Sequence, residues 1–257
     1  VNLTAVFTLE GETYEKVFAL TIPMDTLAGM YTSYEADFSA RPSDSWSYGE
    51  DGGTVLAQDG KLVLDKTGDK GAVQARVDLA KGENDAIAVT KPVIVETELA
   101  VESLSKKADY TIYSSNGAPA MNLNLEYDEG SGFMVCYLTY NDNDKVDRGA
   151  SYATTRYTAR TRLEPGQSLK IKALIYPDTN RMSVWINDTL IVDNQFTRKA
   201  VTDVQYAIFT IPEEEGGTGR LDVSRFAVQM NKGQVLELLM DNVLYLSLIH
   251  ISEPTRP

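Results

Sequence analysis

Met182-Ser-Val-Trp-Ile-Asn-Asp-Thr-Leu-Ile-Val192 reads as a strand, a two-residue turn and a returning strand. Apolar and other residues alternate on both sides of Asn187-Asp188, a pair that tolerates the positive φ of a tight hairpin turn. The same pattern continues in both directions along the chain. Upstream lie Gly60-Lys-Leu-Val-Leu64, Ala72-Val-Gln-Ala-Arg-Val77, Val93-Ile-Val-Glu-Thr-Glu-Leu-Ala-Val101 and Asp109-Tyr-Thr-Ile-Tyr113. Met121-Asn-Leu-Asn-Leu-Glu-Tyr127, Phe133-Met-Val-Cys-Tyr-Leu-Thr-Tyr140 and Ser168-Leu-Lys-Ile-Lys-Ala-Leu-Ile-Tyr176 follow. Downstream come Val204 to Ile211, Leu221 to Val228 and Val235 to Met240. Asp59-Gly60, Asn116-Gly117, Pro165-Gly166 and Gly216-Gly217 punctuate them as turns. No long stretch carries a 3.6-residue apolar period. Many short strands without helices predict an all-β sandwich or barrel.

The charge excludes some partners. There are 37 acids against 24 Lys and Arg, a net charge of -13. Nucleic-acid binding needs a basic stripe to neutralise phosphates, and none is visible. Anionic membrane surfaces are disfavoured for the same reason, and no apolar run is long enough to span a bilayer. A hydrophobic content of 43% is that of a folded globular chain. Cys136 is the single cysteine, so no intrachain disulfide forms, and its apolar strand setting marks it as a core residue.

The ends read differently from the middle. Asn2 to Leu9 and Thr13 to Ile22 alternate around Glu10-Gly-Glu12, predicting a hairpin. The run Val-Asn-Leu-Thr-Ala…Gly…Lys-Val-Phe-Ala-Leu-Thr-Ile resembles the closing hairpin of bacterial Ig-like repeats, including the atrophied type of large secreted carbohydrate-active proteins. Residues 1–22 are therefore expected to end a truncated Ig-like domain, and 23–34, opened by Pro23, to be a linker. At the other end, Leu246-Ser-Leu-Ile-His-Ile-Ser-Glu-Pro-Thr-Arg256 resembles a translated sequencing-library adapter, so 246–257 is expected to be non-native. With Val1 in place of an initiator Met, the chain is expected to be an internal metagenomic fragment.

Residues 35–245 resemble the concanavalin A-like (laminin G-like) jelly roll of bacterial accessory modules. The resemblance rests on Asp37-Phe38 with Trp46, on Gly60-Lys-Leu-Val-Leu64, on Val184-Trp-Ile-Asn-Asp-Thr-Leu-Ile-Val192 and on Asp241-Asn-Val243. It implies a two-sheet antiparallel jelly-roll sandwich in a secreted, extracellular or cell-surface bacterial protein. It also implies a structural calcium between first and last strands, with Asp37 and Asp241 at the matching positions. Local turn hydrogen bonds are the competing role for those two aspartates.

Catalysis finds little support. Retaining glycoside hydrolases of this jelly-roll type carry acids as E-x-D-x-E on one strand, where alternate residues share a cleft. Glu96-Thr-Glu98 and Glu126-Tyr-Asp128 each lack the third member and read as solvent-facing acids. Jelly-roll alginate lyases use His and Tyr, and the one histidine, His250, lies in the adapter-like tail. The same lack excludes Ser-His-Asp triads and His-based zinc sites.

Aromatic platforms are the positive signal. Sugar rings stack C–H faces on Trp and Tyr while their hydroxyls seek nearby amide, carboxylate or guanidinium groups. Tyr outnumbers Phe 14 to 7. Tyr137, Tyr140, Tyr152 and Tyr157 lie close in sequence to Asn141, Asn143, Arg148 and Arg156. Ordinary strand-border tyrosines would give the same pattern. Tyr137 and Tyr140 differ by three and so point to opposite faces of a strand, and only one can serve. Trp46 with Tyr48 is the fallback platform, unless Trp46 is a lid over the core. Trp185, in a central strand, is expected in the core.

The expected function is a non-catalytic carbohydrate-binding or accessory module, partnered by a polysaccharide and by other domains of its polypeptide. Candidate binding residues are Tyr137, Tyr140, Tyr152, Arg156, Trp46 and Tyr48. No cofactor is expected beyond the structural calcium. A divergent jelly-roll hydrolase or lyase, and a spacer or adhesin module without a small ligand, remain the alternatives.

Overall fold

The computed structural model describes residues 2–9, 12–19, 30–79, 92–141 and 155–231. The expectations placed on Tyr152, on Asp241, on Val235 to Met240 and on the 246–257 tail lie outside these residues. In chain order the strands are β1 (Asn2–Leu9), β2 (Glu12–Ala19), β3 (Met30–Glu35), β4 (Trp46–Glu50), β5 (Gly53–Gln58) and β6 (Lys61–Lys66). They continue as β7 (Val73–Asp78), β8 (Val93–Leu104), β9 (Lys107–Tyr113), β10 (Pro119–Asp128), β11 (Phe133–Asn141) and β12 (Thr155–Tyr157). The last are β13 (Thr161–Leu163), β14 (Ser168–Tyr176), β15 (Arg181–Ile186), β16 (Thr189–Phe196), β17 (Tyr206–Ile211) and β18 (Gly219–Asn231).

β1 and β2 form the hairpin expected from their alternation, with Asn2 opposite Ala19 and Leu9 opposite Glu12. The remaining strands build an antiparallel two-layer jelly-roll sandwich. One layer runs β4-β7-β17-β9-β10-β11, with β12 and β13 both on the outer edge of β11. The other runs β16-β15-β14-β8-β18-β6-β5. β18 is long enough to take β6 along its first half and β3 along its second. The layers meet at one corner, where Asn141 of β11 pairs with Phe196 of β16. β3 corrects the expectation for 23–34: its residues 30–34 are strand, because they supply the edge partner for Ala227 to Asn231.

Each layer buries alternate residues, as a period of two requires. Val73, Ala75 and Val77 of β7 point inward with Ala207, Phe209 and Ile211 of β17. Ala108, Tyr110 and Ile112 of β9 join Met121, Leu123 and Leu125 of β10 and Met134, Cys136 and Leu138 of β11. Contacts across the gap fix the stacking. Phe209 of β17 meets Phe226 of β18 edge to face at 6.1 Å. The Tyr110 hydroxyl of β9 bonds the Thr97 hydroxyl of β8 at 2.7 Å. Cys136 sits in this core, and burial pushes its thiol up to about 11, so it packs as a small hydrophobe.

Two hairpin turns confirm the turn chemistry. Asn187 and Asp188 both take positive φ, 48° and 63°, between β15 and β16. Asp59 and Gly60 do likewise, 54° and 74°, between β5 and β6. Positive φ at both central residues gives the twist that antiparallel strands need.

Trp185 corrects another expectation. It lies on the outer face of the second layer and is half-buried, flanked across the ladder by Lys172 and Leu190. The Lys172 ammonium sits 5.7 Å from the ring centroid. Val184 and Ile186 take the inward positions, so the residue between them must face out.

Candidate functional site

The outer face of the first layer is built by the residues that alternate with its core. β9 presents Lys107, Asp109, Thr111 and Tyr113, and β10 presents Asn122, Asn124, Glu126 and Asp128. β11 adds Tyr137 and Thr139, because Tyr137 stands opposite Asn124 and Thr139 opposite Asn122. β17 adds Tyr206 beside Tyr113.

These side chains bond to one another across the strands. The Asn122 amide nitrogen donates to Thr111 Oγ1 at 2.7 Å. Its carbonyl oxygen accepts from Thr139 Oγ1 at 2.9 Å and from the Asn124 amide at 3.0 Å. The Tyr137 hydroxyl donates to Glu126 Oε1 at 2.5 Å. Arg160 holds the other Glu126 oxygen at 3.2 Å and Asp128 at 3.7 Å. Tyr113 and Tyr206 stack at 4.9 Å, and the Arg76 guanidinium covers Tyr206 at 3.8 Å. At the β11 edge, Tyr157 meets Tyr137 edge-on at 5.9 Å and is 65% exposed. The result is a polar, aromatic layer backed by a dry core.

The expected site residues separate accordingly. Tyr137 is on this face. Burial and the adjoining Glu126 carboxylate both push its hydroxyl up, so it stays a proton donor. Tyr140, three residues on, turns inward and packs against the core. Arg156 of β12 is exposed and stands opposite Tyr140 in the ladder. Trp46 is a lid over the core: it is 7% exposed, packs edge-on against Phe38 and Phe226, and donates its indole N–H to the Tyr34 hydroxyl at 2.6 Å. Tyr48 lies on the same side, with its hydroxyl given to the Pro42 carbonyl and Arg41 covering its ring at 4.0 Å. Burial raises its hydroxyl to about 12. Trp46 is thus closed to a sugar, while Tyr48 is half-buried beneath Arg41. Asp37 accepts from the Ser39 N–H at 2.8 Å and hydroxyl at 3.0 Å, the local turn role weighed against calcium. Those bonds hold its carboxyl below the usual range. Among the described residues no cluster of three or more ligating side chains stands ready for a metal.

The two carboxylate pairs also part. Glu96 and Glu98 lie on the outer face of the second layer. Glu96 is bound to Arg225 at 2.9 Å and Glu98 to Ser168 Oγ at 2.7 Å. Glu126 and Asp128 lie on the Tyr137 face, and Glu126 is half-buried rather than solvent-facing.

Asp109, Asn122 and Asn124 were not legible as site residues. A signal for the asparagines existed. Asn is depleted from strands, so two at alternate positions of β10 need a reason outside propensity. Asp109 is half-buried at the centre of the face. Burial pushes its carboxyl up to about 6; Lys107 opposes the shift, and Glu126 and Glu214 reinforce it. The folded-state pKa thus lies above the reference 3.8. Protons bind the folded state more tightly, so this contribution to stability is full below about 3.8 and is lost as pH rises through about 6. Asp109→Asn is expected to be more stable than wild type by roughly 2 kcal/mol at pH 8 and nearly equal at pH 4. Urea unfolding at the two pH values checks this, and an equal effect at both would remove the linkage.

No protein-family model matches the chain, and no curated protein matches it. Solved structures do. A sialidase superposes with a TM-score of 0.53 at 11% identity, over 91% of this chain and 21% of that one. The CBM2 module of the evolved Dit of Lactobacillus casei BL23 phage J-1 gives 0.51 at 11% identity, covering 79% and 97%. The carbohydrate recognition domain of Emp47p gives 0.52 at 12% identity, covering 79% and 97%. The chain thus spans about a fifth of the sialidase and nearly all of the other two. At these identities the likeness establishes the jelly-roll fold.

Proposed function

We propose that the outer face of the first layer binds carbohydrate and that the chain is a non-catalytic module of a secreted, multidomain bacterial protein acting on glycans. The observation that carries this is the continuous layer of amide, hydroxyl and tyrosine groups on β9, β10 and β11. It offers ring faces beside hydrogen-bonding groups, the combination a sugar requires. Two structures of the same fold bear the names carbohydrate recognition domain and CBM2 module, which supports the reading. The β1–β2 hairpin would then close a preceding Ig-like domain, and the site of action would be extracellular. Such a face buries little ligand area, so binding is weak.

Affinity electrophoresis against a polysaccharide panel tests this. Tyr137→Ala is expected to weaken binding about tenfold, roughly 1.4 kcal/mol, with circular dichroism unchanged. Unaltered binding in both Tyr137→Ala and Tyr157→Ala would place the site elsewhere.

One observation favours a hydrolase or lyase instead. The Asp109 carboxyl is raised to about 6 and has a second carboxylate, Glu126, near enough that its charge contributes to the shift, and two carboxyls on one face are the residue set of an acid–base pair. Turnover of β-glucan, xylan, arabinan, pectin or alginate that disappears in Asp109→Asn or Glu126→Gln would replace the binding reading.

A further inference from the structure

We propose that Asp109 is the ligand anchor of this face and that it takes two adjacent hydroxyls of a neutral glycan, not the carboxylate of a uronate or sialate. The inference rests on the carbohydrate-binding reading and names the class of sugar.

Asp109 lies mid-strand on β9, with Asn124 of β10 on one side and Thr210 of β17 on the other. Among the described residues its carboxylate accepts no hydrogen bond. Thr210 turns its hydroxyl to the Val73 carbonyl at 3.4 Å, and Asn124 gives its amide to Asn122. The Asn124 carbonyl oxygen likewise receives no donor among the described residues. Directly opposed residues hold their Cβ atoms about 5 Å apart. Two acceptors therefore stand side by side at the centre of the face. Neither is among the described side-chain oxygens that are buried without a partner, so both acceptors open to the outside and are free to take donors from a ligand. Hydroxyl donors fit, and neighbouring hydroxyls on one sugar ring present two donors together.

The surrounding charges set the ligand class. Lys107, on β9 itself, reaches Glu214 at 3.6 Å. On β10, Glu126 and Asp128 already hold Arg160, and on β11 the Tyr137 hydroxyl is given to Glu126. Arg76 of β7 is matched by Asp78 at 3.6 Å. An anionic sugar at Asp109 would set acceptor against acceptor with the nearby cations already engaged. Arg198 has no ion-pair partner among the described residues, but its charge acts on Tyr113. Tyr113 is four residues from Asp109 along β9, on the order of 13 Å.

The test compares neutral polymers (mannan, β-glucan, galactan) with anionic ones (alginate, polygalacturonate, a sialylated glycan) against the full chain. The expected result is binding to a neutral polymer and at least tenfold weaker binding to the anionic ones. Asp109→Asn, which keeps shape and removes charge, should lose about tenfold, because hydrogen bonds to an ionised acceptor are the stronger kind. With Asp109 titrating at about 6, wild-type affinity should fall about tenfold from pH 7 to pH 5, and Asp109→Asn should flatten that profile. Binding that falls in Tyr137→Ala but is unchanged in Asp109→Asn overturns the anchor alone. Equal or tighter binding of an anionic polymer overturns the ligand class. No binding in any arm sinks the carbohydrate reading and this proposal together.

Discussion

Tyr110→Ala is expected to lower the free energy of unfolding by about 4 kcal/mol, within the range for truncating a buried aromatic ring. Tyr110 is 0% exposed and stacks on Phe209 at 4.6 Å with the rings 6° from parallel. Phe209 in turn meets Phe226 of the facing layer, so the ring lies at the junction of the two sheets. Truncation removes the stacking and leaves a cavity the barrier of strands cannot easily close. It also strands the buried Thr97 hydroxyl, whose bond to Tyr110 spans the sandwich. Tyr110→Phe isolates that second effect and should cost about 1–2 kcal/mol. Combining it with Thr97→Val should recover much of the loss, since removing both partners is gentler than removing one. Urea unfolding of the three variants beside wild type measures all of this. A loss below about 2 kcal/mol for the alanine variant would mean the core relaxes around the gap.

Lys66→Met is expected to destabilise by about 3 kcal/mol. Lys66, at the end of β6, is 1% exposed, and its ammonium donates to the carbonyl oxygens of Gly68 and Gly217. Gly217 belongs to the loop that leads into β18, so one side chain ties two loops at the same end of the sandwich. A neighbouring tie runs from Ser105, which donates to the Gly216 carbonyl at 2.8 Å and accepts from the Thr218 N–H at 2.7 Å. Methionine keeps most of the stem volume, so the variant reads the polar loss rather than a void. The Gly217 carbonyl would remain buried and the Gly68 carbonyl part-buried without a donor, the buried one worth about 1–3 kcal/mol and the other less. A shift under about 1 kcal/mol in thermal or chemical unfolding would show that water serves those carbonyls instead.

Both stability predictions concern residues whose type alone said little. Tyr110 was legible as a member of the Asp109–Tyr113 strand, yet nothing local distinguishes an inward tyrosine with a hydroxyl partner from an outward one. Lys66 ends a strand, a position where a lysine is ordinarily solvated. Its burial depends on a glycine far along the chain closing over it.

The functional face shows the same division. The local code is a period of two, so the sequence predicted that Tyr137 and Tyr140 must face opposite ways. It could not say which of them joined the core, because that depends on the register of β11 against β10. Once Leu138 pairs with Leu123 and faces the core, Tyr137 faces out. Trp46 and Tyr48 shared one side as their spacing requires, and that side proved to be inward. Trp185 went the other way, since Val184 and Ile186 claim the inward positions of β15.

By itself the sequence determined the all-β class, most strand positions, the Asn187-Asp188 and Asp59-Gly60 turns, and the alternation of buried and outward residues. These are consequences of neighbours a few positions apart, where sterics and turn chemistry act. Only the tertiary structure decided which outward rows lie side by side. Asp109 gains its meaning from Asn124 of β10, Thr210 of β17 and the carboxylates of Glu126 and Glu214. Hydrogen-bonded pairing between distant strands brings them together, and the burial it imposes raises the Asp109 carboxyl. Pairing of that kind is set by the packing of the whole core, which no short stretch of chain encodes.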